Sequence, residues 1–197
     1  MHRIAWPLIS TFLLWGCSSS IITAFRDPAY ETKQFTSLVV FAQGMALDAA
    51  VEVERQICVK IAPTPCKSGK SVLPPTRQYT VDEVEKYLQA SGADAVLIIA
   101  LFADQADTGY AGTMNFYLNA AYWNSTSYGY SPSRPVSHNS RVAFGQLGLF
   151  DRPTGNTAWR GEIKVTGQGA AHITDDAFIN SATSEIVRKL KKDRLVN

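Results

Sequence analysis

Apolar and polar positions fall in blocks along this chain, and each block predicts an element. Residues 4–15 are almost continuously apolar behind Arg3, broken only by Ser10 and Thr11. A bilayer-spanning helix needs about 20 apolar residues, so this shorter run with a basic start reads as a cleaved export signal over residues 1–16. Residues 18–35 are polar and mixed, with a turn at Arg26-Asp27-Pro28, and read as a tether. Residues 37–42, Ser-Leu-Val-Val-Phe-Ala, form the β-branched apolar run expected of a strand buried on both faces. Residues 45–59 then place Leu47, Ala50, Val51, Glu54, Ile57 and Cys58 near helical spacing, with Asp48, Glu52 and Arg55 toward solvent.

Further along, Ser71-Val72-Leu73 predicts a short strand stopped by Pro74-Pro75. Thr80-Val81-Asp82-Glu83 matches a capping box, in which the Thr hydroxyl and the Glu carboxylate satisfy N–H groups that have no helical partner. Val84, Tyr87 and Leu88 supply that helix with a buried stripe, and Gly92 is placed to end it in a left-handed conformation. Residues 95–102 are continuously apolar and predict a central strand. Residues 142–150 and 157–166 predict an antiparallel hairpin around Asp151-Arg152-Pro153-Thr154-Gly155-Asn156, with Trp159, Ile163 and Val165 inward and Arg160, Glu162 and Lys164 outward. A last helix starts at Thr174-Asp175-Asp176. Its Phe178, Ala182, Ile186 and Leu190 recur every four residues, Ile179 and Val187 lie beside them, and its basic end suits the negative pole of the helix dipole. The order predicts an α/β (α+β) fold: a mixed β-sheet with packed helices, in a single domain over residues 36–197.

Leu14-Trp15-Gly16-Cys17 resembles the lipobox of bacterial lipoproteins, with an aliphatic residue three positions before the cysteine and a small residue directly before it. The resemblance implies that Cys17 receives a diacylglycerol on sulfur and, after cleavage, a further acyl chain such as palmitate on its new amine. Residues 17–35 then form the lipidated N-terminus and its tether. Each buried methylene contributes roughly 0.8 kcal/mol, so two or three chains hold a protein on the membrane. Ser18, where an Asp would signal retention at the inner membrane, implies the outer membrane, with the domain facing the periplasm.

Nineteen basic residues stand against seventeen acidic ones. With no polybasic patch, nothing in the charge argues for nucleic acid. Once Cys17 is assigned to lipid, Cys58 and Cys66 are the remaining pair, in a compartment where disulfides persist. We expect them to bond, the two prolines between them turning the chain; a redox pair or metal site is the alternative, but two thiols without a nearby His make a poor zinc set.

Few motifs suggest catalysis. Ser68-Gly69-Lys70-Ser71 matches the end of a phosphate-binding loop, yet position 64, where the motif needs its first glycine, is Thr64. His138 and His172 have neither metal-pair spacing nor a Gly-x-Ser-x-Gly nucleophile nearby, and Asp104, Asp107 and Glu162 read as solvated carboxylates at strand ends. The expectation is a protein that is not an enzyme and uses no metal or cofactor beyond its covalent lipid.

Residues 110–130 are unusual in composition. Tyr117, Tyr122, Trp123, Tyr128 and Tyr130 stand among Asn115, Asn119, Asn124, Ser125 and Ser127. Flat rings beside amides and hydroxyls suit a protein partner or a sugar, and the alternation of Met114, Phe116 and Leu118 with polar residues also suits a strand whose rings pack across a hairpin.

The lipobox, the early buried strand, the Ala-Asp-Ala-Val-Leu strand start at 93–97, the hairpin with Phe144, Asp151, Gly155 and Trp159, and the closing amphipathic helix together resemble a group of envelope lipoproteins. These share the fold of the TolB amino-terminal domain, the curli-secretion lipoprotein and the lipoprotein activator of penicillin-binding proteins. Over residues 35–195 the resemblance implies a TolB amino-terminal-like domain and a non-catalytic role in envelope assembly. Its partners would be the membrane, through the lipid, and an envelope protein, with peptidoglycan or another glycan as the alternative ligand.

Overall fold

The computed structural model describes residues 18–103, 140–168 and 175–197. In chain order the elements are β1 (Ser18–Arg26), a 3-10 turn (Pro28–Tyr30), β2 (Leu38–Gln43), α1 (Leu47–Lys60), β3 (Cys66–Ser68), α2 (Gly69–Val72), α3 (Val81–Ala90), β4 (Ala95–Ala103), β5 (Ser140–Asp151), β6 (Thr157–Gln168) and α4 (Asp175–Lys192). The six strands form one mixed sheet in the order β1-β6-β5-β4-β2-β3. β2 runs parallel to both β3 and β4, and the remaining neighbours are antiparallel.

Alternation along the strands divides the core between two faces. Leu38, Val40, Leu97, Ile99, Leu147, Leu149, Trp159 and Ile163 meet Val53 and Ile57 of α1 and Ile186 and Leu190 of α4 on one side. Val39, Phe41, Val96, Ile98 and Phe150 face the other way, under Val84 and Leu88 of α3 and under Tyr79. The central strands are therefore apolar at successive positions, because both of their faces are covered. α3 starts in the expected capping box, with Glu83 N–H donating to Thr80 Oγ1 at 3.3 Å and Thr80 N–H to Glu83 Oε2 at 2.8 Å. Gly92 follows that helix at φ +74°.

Three expectations change. Residues 18–26, predicted as part of a tether, are edge strand β1, paired with β6 from Ser18↔Gly167 to Arg26↔Trp159. Ile22 and Ala24 pack on the core, and the Arg26 guanidinium donates to the carbonyls of Tyr30, Lys33 and Asp193. Tyr30 and Phe35 are buried as well, so residues 18–35 are built into the domain. Second, Ser71-Val72-Leu73 is not a strand. The edge strand is Cys66–Ser68, and the chain turns at once into α2, closed by Leu73 N–H donating to the Gly69 carbonyl at 2.7 Å. Third, the buried stripe of α1 is Ala50, Val53, Glu54 and Ile57, while Leu47 and Val51 are exposed.

Candidate functional site

From β2 the chain crosses through α1 to β3 on one side, then through α2 and α3 to β4 on the other. The carboxyl end of β2 is thus the point where two crossovers part, the position at which open α/β sheets receive ligands. A cleft of about 510 Å³ opens there. Its floor and near wall come from the run Phe41 to Met45 with Leu47 and Ala50, and its far wall from residues 73–79. Gly44 makes the turn out of β2 at φ +75°, and a Cβ on it would lie 2.9 Å from the Leu101 carbonyl oxygen of β4. Only glycine fits that approach.

Beneath the floor lies a buried ion pair. Glu54 is 0% exposed on α1. Its Oε1 accepts from Ala42 N–H at 2.9 Å and Lys70 Nζ at 2.6 Å; its Oε2 accepts from the Ser68 hydroxyl and, at 3.1 Å, from Lys70 N–H. Lys70 Nζ also donates to the Ala42 carbonyl at 2.9 Å. The carboxylate is saturated and the ammonium committed, as a buried pair requires. This explains the Ser68-Gly69-Lys70-Ser71 sequence: its lysine clips α2 to β2 and α1, and a Cβ on its glycine would stand 2.0 Å from the Phe41 ring.

The far wall is held by aromatic contacts. Tyr79 Oη donates to the Pro74 carbonyl at 3.0 Å, closing the Pro74-Pro75 loop. Arg77 stacks over the Tyr79 ring at 4.7 Å and donates to Tyr87 Oη at 2.5 Å, while the two tyrosines meet edge to face at 5.7 Å. Hydrogen bonding to Tyr79 and Tyr87 raises the Arg77 pKa above its ordinary value. Among the described residues, the polar side chains lining the cleft are the amides of Gln43 and Gln78, the hydroxyls of Thr76 and Tyr79, the Lys70 ammonium and the Arg77 guanidinium. Such a surface can bind through apolar contact and hydrogen-bonding groups at its rim.

Other carboxylates brace the opposite end of the sheet. Asp94 accepts from the N–H and hydroxyl groups of Thr36 and Ser37. Burial pushes its pKa up, but the Thr36 and Ser37 bonds outweigh it and the net shift is down. Asp151 accepts from Lys33, Thr154 and Tyr30 in the same manner.

The structure joins Cys58 to Cys66 in a disulfide, with Cα atoms 5.1 Å apart, tying the last turn of α1 to β3. Cys17, Tyr117, Tyr122, Trp123, Tyr128, Tyr130, Asp104, Asp107, His138 and His172 lie outside the described residues. The aromatic segment 110–130 falls within the stretch that connects β4 to β5, two neighbouring strands paired through Ala103↔Ala143. β4 is the strand that Gly44 of the cleft abuts, at Leu101. Sequence reasoning placed Glu54 on the buried stripe but missed its partner Lys70; a charge on an apolar stripe was the available signal. The Arg77–Tyr79–Tyr87 wall left no such signal, since Arg77 and Tyr79 lie between the periodic segments. Among the described residues no helix is long and apolar enough to cross a membrane, and no group of three or more His, Cys, Asp or Glu is placed to hold a metal ion.

No protein-family model and no curated protein matches this sequence. Among solved structures, the chain is similar to the PelC dodecamer from Paraburkholderia phytofirmans, at 12% identity and a TM-score of 0.49, over 90% of this chain and 99% of that one. It is similar to the lipoprotein GNA1162 from Neisseria meningitidis, at 14% identity and a TM-score of 0.42, over 80% of this chain and 99% of that one. A third is the hypothetical protein CT253 from Chlamydia trachomatis, at 10% identity and a TM-score of 0.37, over 81% and 97%.

Proposed function

We propose that this chain is a lipoprotein of the bacterial outer membrane, acylated at Cys17 and facing the periplasm, which acts as a non-catalytic module that binds an envelope protein through the aromatic segment Tyr117, Tyr122, Trp123, Tyr128 and Tyr130. The observation that carries this reading is where that segment is rooted. It belongs to residues 104–139, which connect the adjacent paired strands β4 and β5, and β4 abuts Gly44 in the lining of a cleft that offers apolar surface and hydrogen-bonding groups. Loops on a rigid scaffold are where binding residues concentrate. The anchor supports the same reading: β1 starts at Ser18, so acylation of Cys17 would fix the whole sheet at the membrane.

In-cell cross-linking followed by mass spectrometry tests it. The expected result is one envelope protein captured by the parent chain and lost on Tyr122→Ala with Trp123→Ala. Capture that is unchanged in that variant, or retention on purified peptidoglycan sacculi with no protein captured, overturns it in favour of another surface or of the glycan reading. Cys17→Ser is expected to move the protein from the membrane to the soluble fraction.

A further inference from the structure

The two sides of β1 differ. Ile22 and Ala24 face the core, and Ser20 Oγ lies 2.7 Å from Ser181 Oγ of α4. Ile21 and Phe25 point the opposite way and are 67% and 68% exposed. Directly across from Ile21 on β6 is Lys164, and across from Phe25 is Arg160; both are exposed, with Glu162 between them opposite Thr23. One strand further, Phe144 of β5 pairs with Lys164, whose ammonium lies 5.8 Å from the ring centroid. α3 covers this side of the sheet only over β2, β4 and Phe150. Among the described residues, the β5-β6-β1 end is a patch of three large apolar side chains interleaved with two cations and one carboxylate.

We infer that this patch docks on the phospholipid leaflet that holds Cys17, with Ile21 and Phe25 in the headgroup region and Lys164 and Arg160 against anionic lipid phosphates; the inference rests on the proposed acylation of Cys17. Position decides the occupant. Ser18 is already strand, so no slack separates the anchor from the patch: at about 3.3 Å per residue, Ile21 lies within about 13 Å of the Cys17 Cα and Phe25 within about 26 Å. An anchored strand lying along the membrane presents both side chains to it at once. Apolar groups flanked by cations match the chemistry of that interface, where the former meet the acyl boundary and the latter the phosphates. A second copy or a protein partner would be free to use any face; the bilayer is the surface that the anchor brings to this one.

The test uses the mature lipidated chain in vesicles of phosphatidylethanolamine and phosphatidylglycerol. With Cys17 acylated and Cys58 bridged to Cys66, a single cysteine introduced by Ile21→Cys, Phe25→Cys or Val59→Cys is the only free thiol for a spin label. Val59 is 63% exposed on α1, across the sheet. The expected result is that labels at 21 and 25 lose access to a water-soluble nickel quencher and gain access to membrane-dissolved oxygen, several-fold relative to 59. Lys164→Glu with Arg160→Glu should restore nickel access at 25. On the unlabelled protein, a photoactivatable phospholipid should mark β1 and β6 peptides and spare α1. Mass spectrometry of the N-terminal peptide is read first: an unacylated Cys17 overturns the anchor and this docking together. An acylated chain whose labels at 21 and 25 stay as open to nickel as 59, or are shielded from nickel and oxygen alike, overturns the docking alone.

Discussion

Asp151 is 2% exposed at the end of β5, and its carboxylate gathers the turn between β5 and β6, the 3-10 turn and Lys33 into one hub. Burial pushes its pKa up, but hydrogen bonds from Lys33, Thr154 and Tyr30, with the Lys33 charge, hold it below the ordinary value near 3.8. A carboxyl depressed in the folded state contributes stability that is complete above its unfolded pKa and is lost as pH falls through the folded value. Asp151→Asn should therefore cost about 2 kcal/mol at pH 7, the scale of hydrogen bonds to a charged group. Denaturant unfolding at pH 7 and again below about pH 4 should show the parent and variant curves converging in acid. The buried Glu54–Lys70 pair behaves differently, because removing one partner strands the other. Lys70→Met leaves an uncompensated carboxylate and should lose about 3–5 kcal/mol; adding Glu54→Gln, which removes the charge and keeps an acceptor for Ala42 N–H, should recover part of that loss. A double-mutant cycle by chemical denaturation measures the coupling. Glu54 was placed correctly by helical spacing, but spacing along one helix carries no information about an ammonium that arrives from another element.

At the scale of elements, legibility followed how much of each element's burial its own residues reveal. α4 was readable because Phe178, Ala182, Ile186 and Leu190 share one face, and all four are buried. β6 was readable for the analogous reason, with Trp159, Ile163 and Val165 in and Arg160, Glu162 and Lys164 out. β1 was not, because apolar residues occupy both of its faces, Ile22 and Ala24 inward and Ile21 and Phe25 outward, with serine and threonine between them. No period-2 pattern survives that arrangement, and only pairing with β6 makes it a strand. The turn from β3 to α2 was misread because its conformation is set at a distance, by the Glu54 carboxylate and the Phe41 ring over Gly69. Two local devices that were readable can be weighed. Thr80→Ala removes the capping box of α3 and should cost about 1 kcal/mol, read as a lower thermal midpoint. Replacing Cys58 and Cys66 by serine opens a short loop and should cost about 2–3 kcal/mol in the entropic account, measured by urea unfolding without reductant.

At the scale of the whole molecule, we expect the frame and the proposed recognition segment to be separable. Among the described residues, the six strands pair with one another within 18–103 and 140–168, and the two core clusters draw on those strands, their helices, α4 and the C-terminal Leu195 and Val196. Residues 104–139 connect β4 to β5, and those two strands are already paired at Ala103↔Ala143. Neighbouring antiparallel strands can be joined by a loop of a few residues, and lengthening or shortening such a loop changes its closure entropy slowly, by about 0.6 kcal/mol per doubling. The cleft was beyond sequence reasoning because its lining comes from the exit of β2, from Lys70 and from the Pro74-Pro75 loop, three stretches that only the crossovers bring together. The aromatic segment, by contrast, was visible as composition. Replacing residues 104–139 by a short glycine–asparagine linker should thus leave a folded domain and abolish partner capture. The readout is direct, since removal of the export signal and of Trp123 leaves Trp159 as the only tryptophan. Trp159 is 1% exposed, and its Nε1–H donates to Asp193 Oδ2 at 2.8 Å. A retained blue-shifted emission from Trp159, with a cooperative unfolding transition and an intact disulfide, is the expected outcome. A red-shifted, non-cooperative protein would mean that the segment belongs to the core, and an intact domain that still captures its partner would move recognition to the cleft.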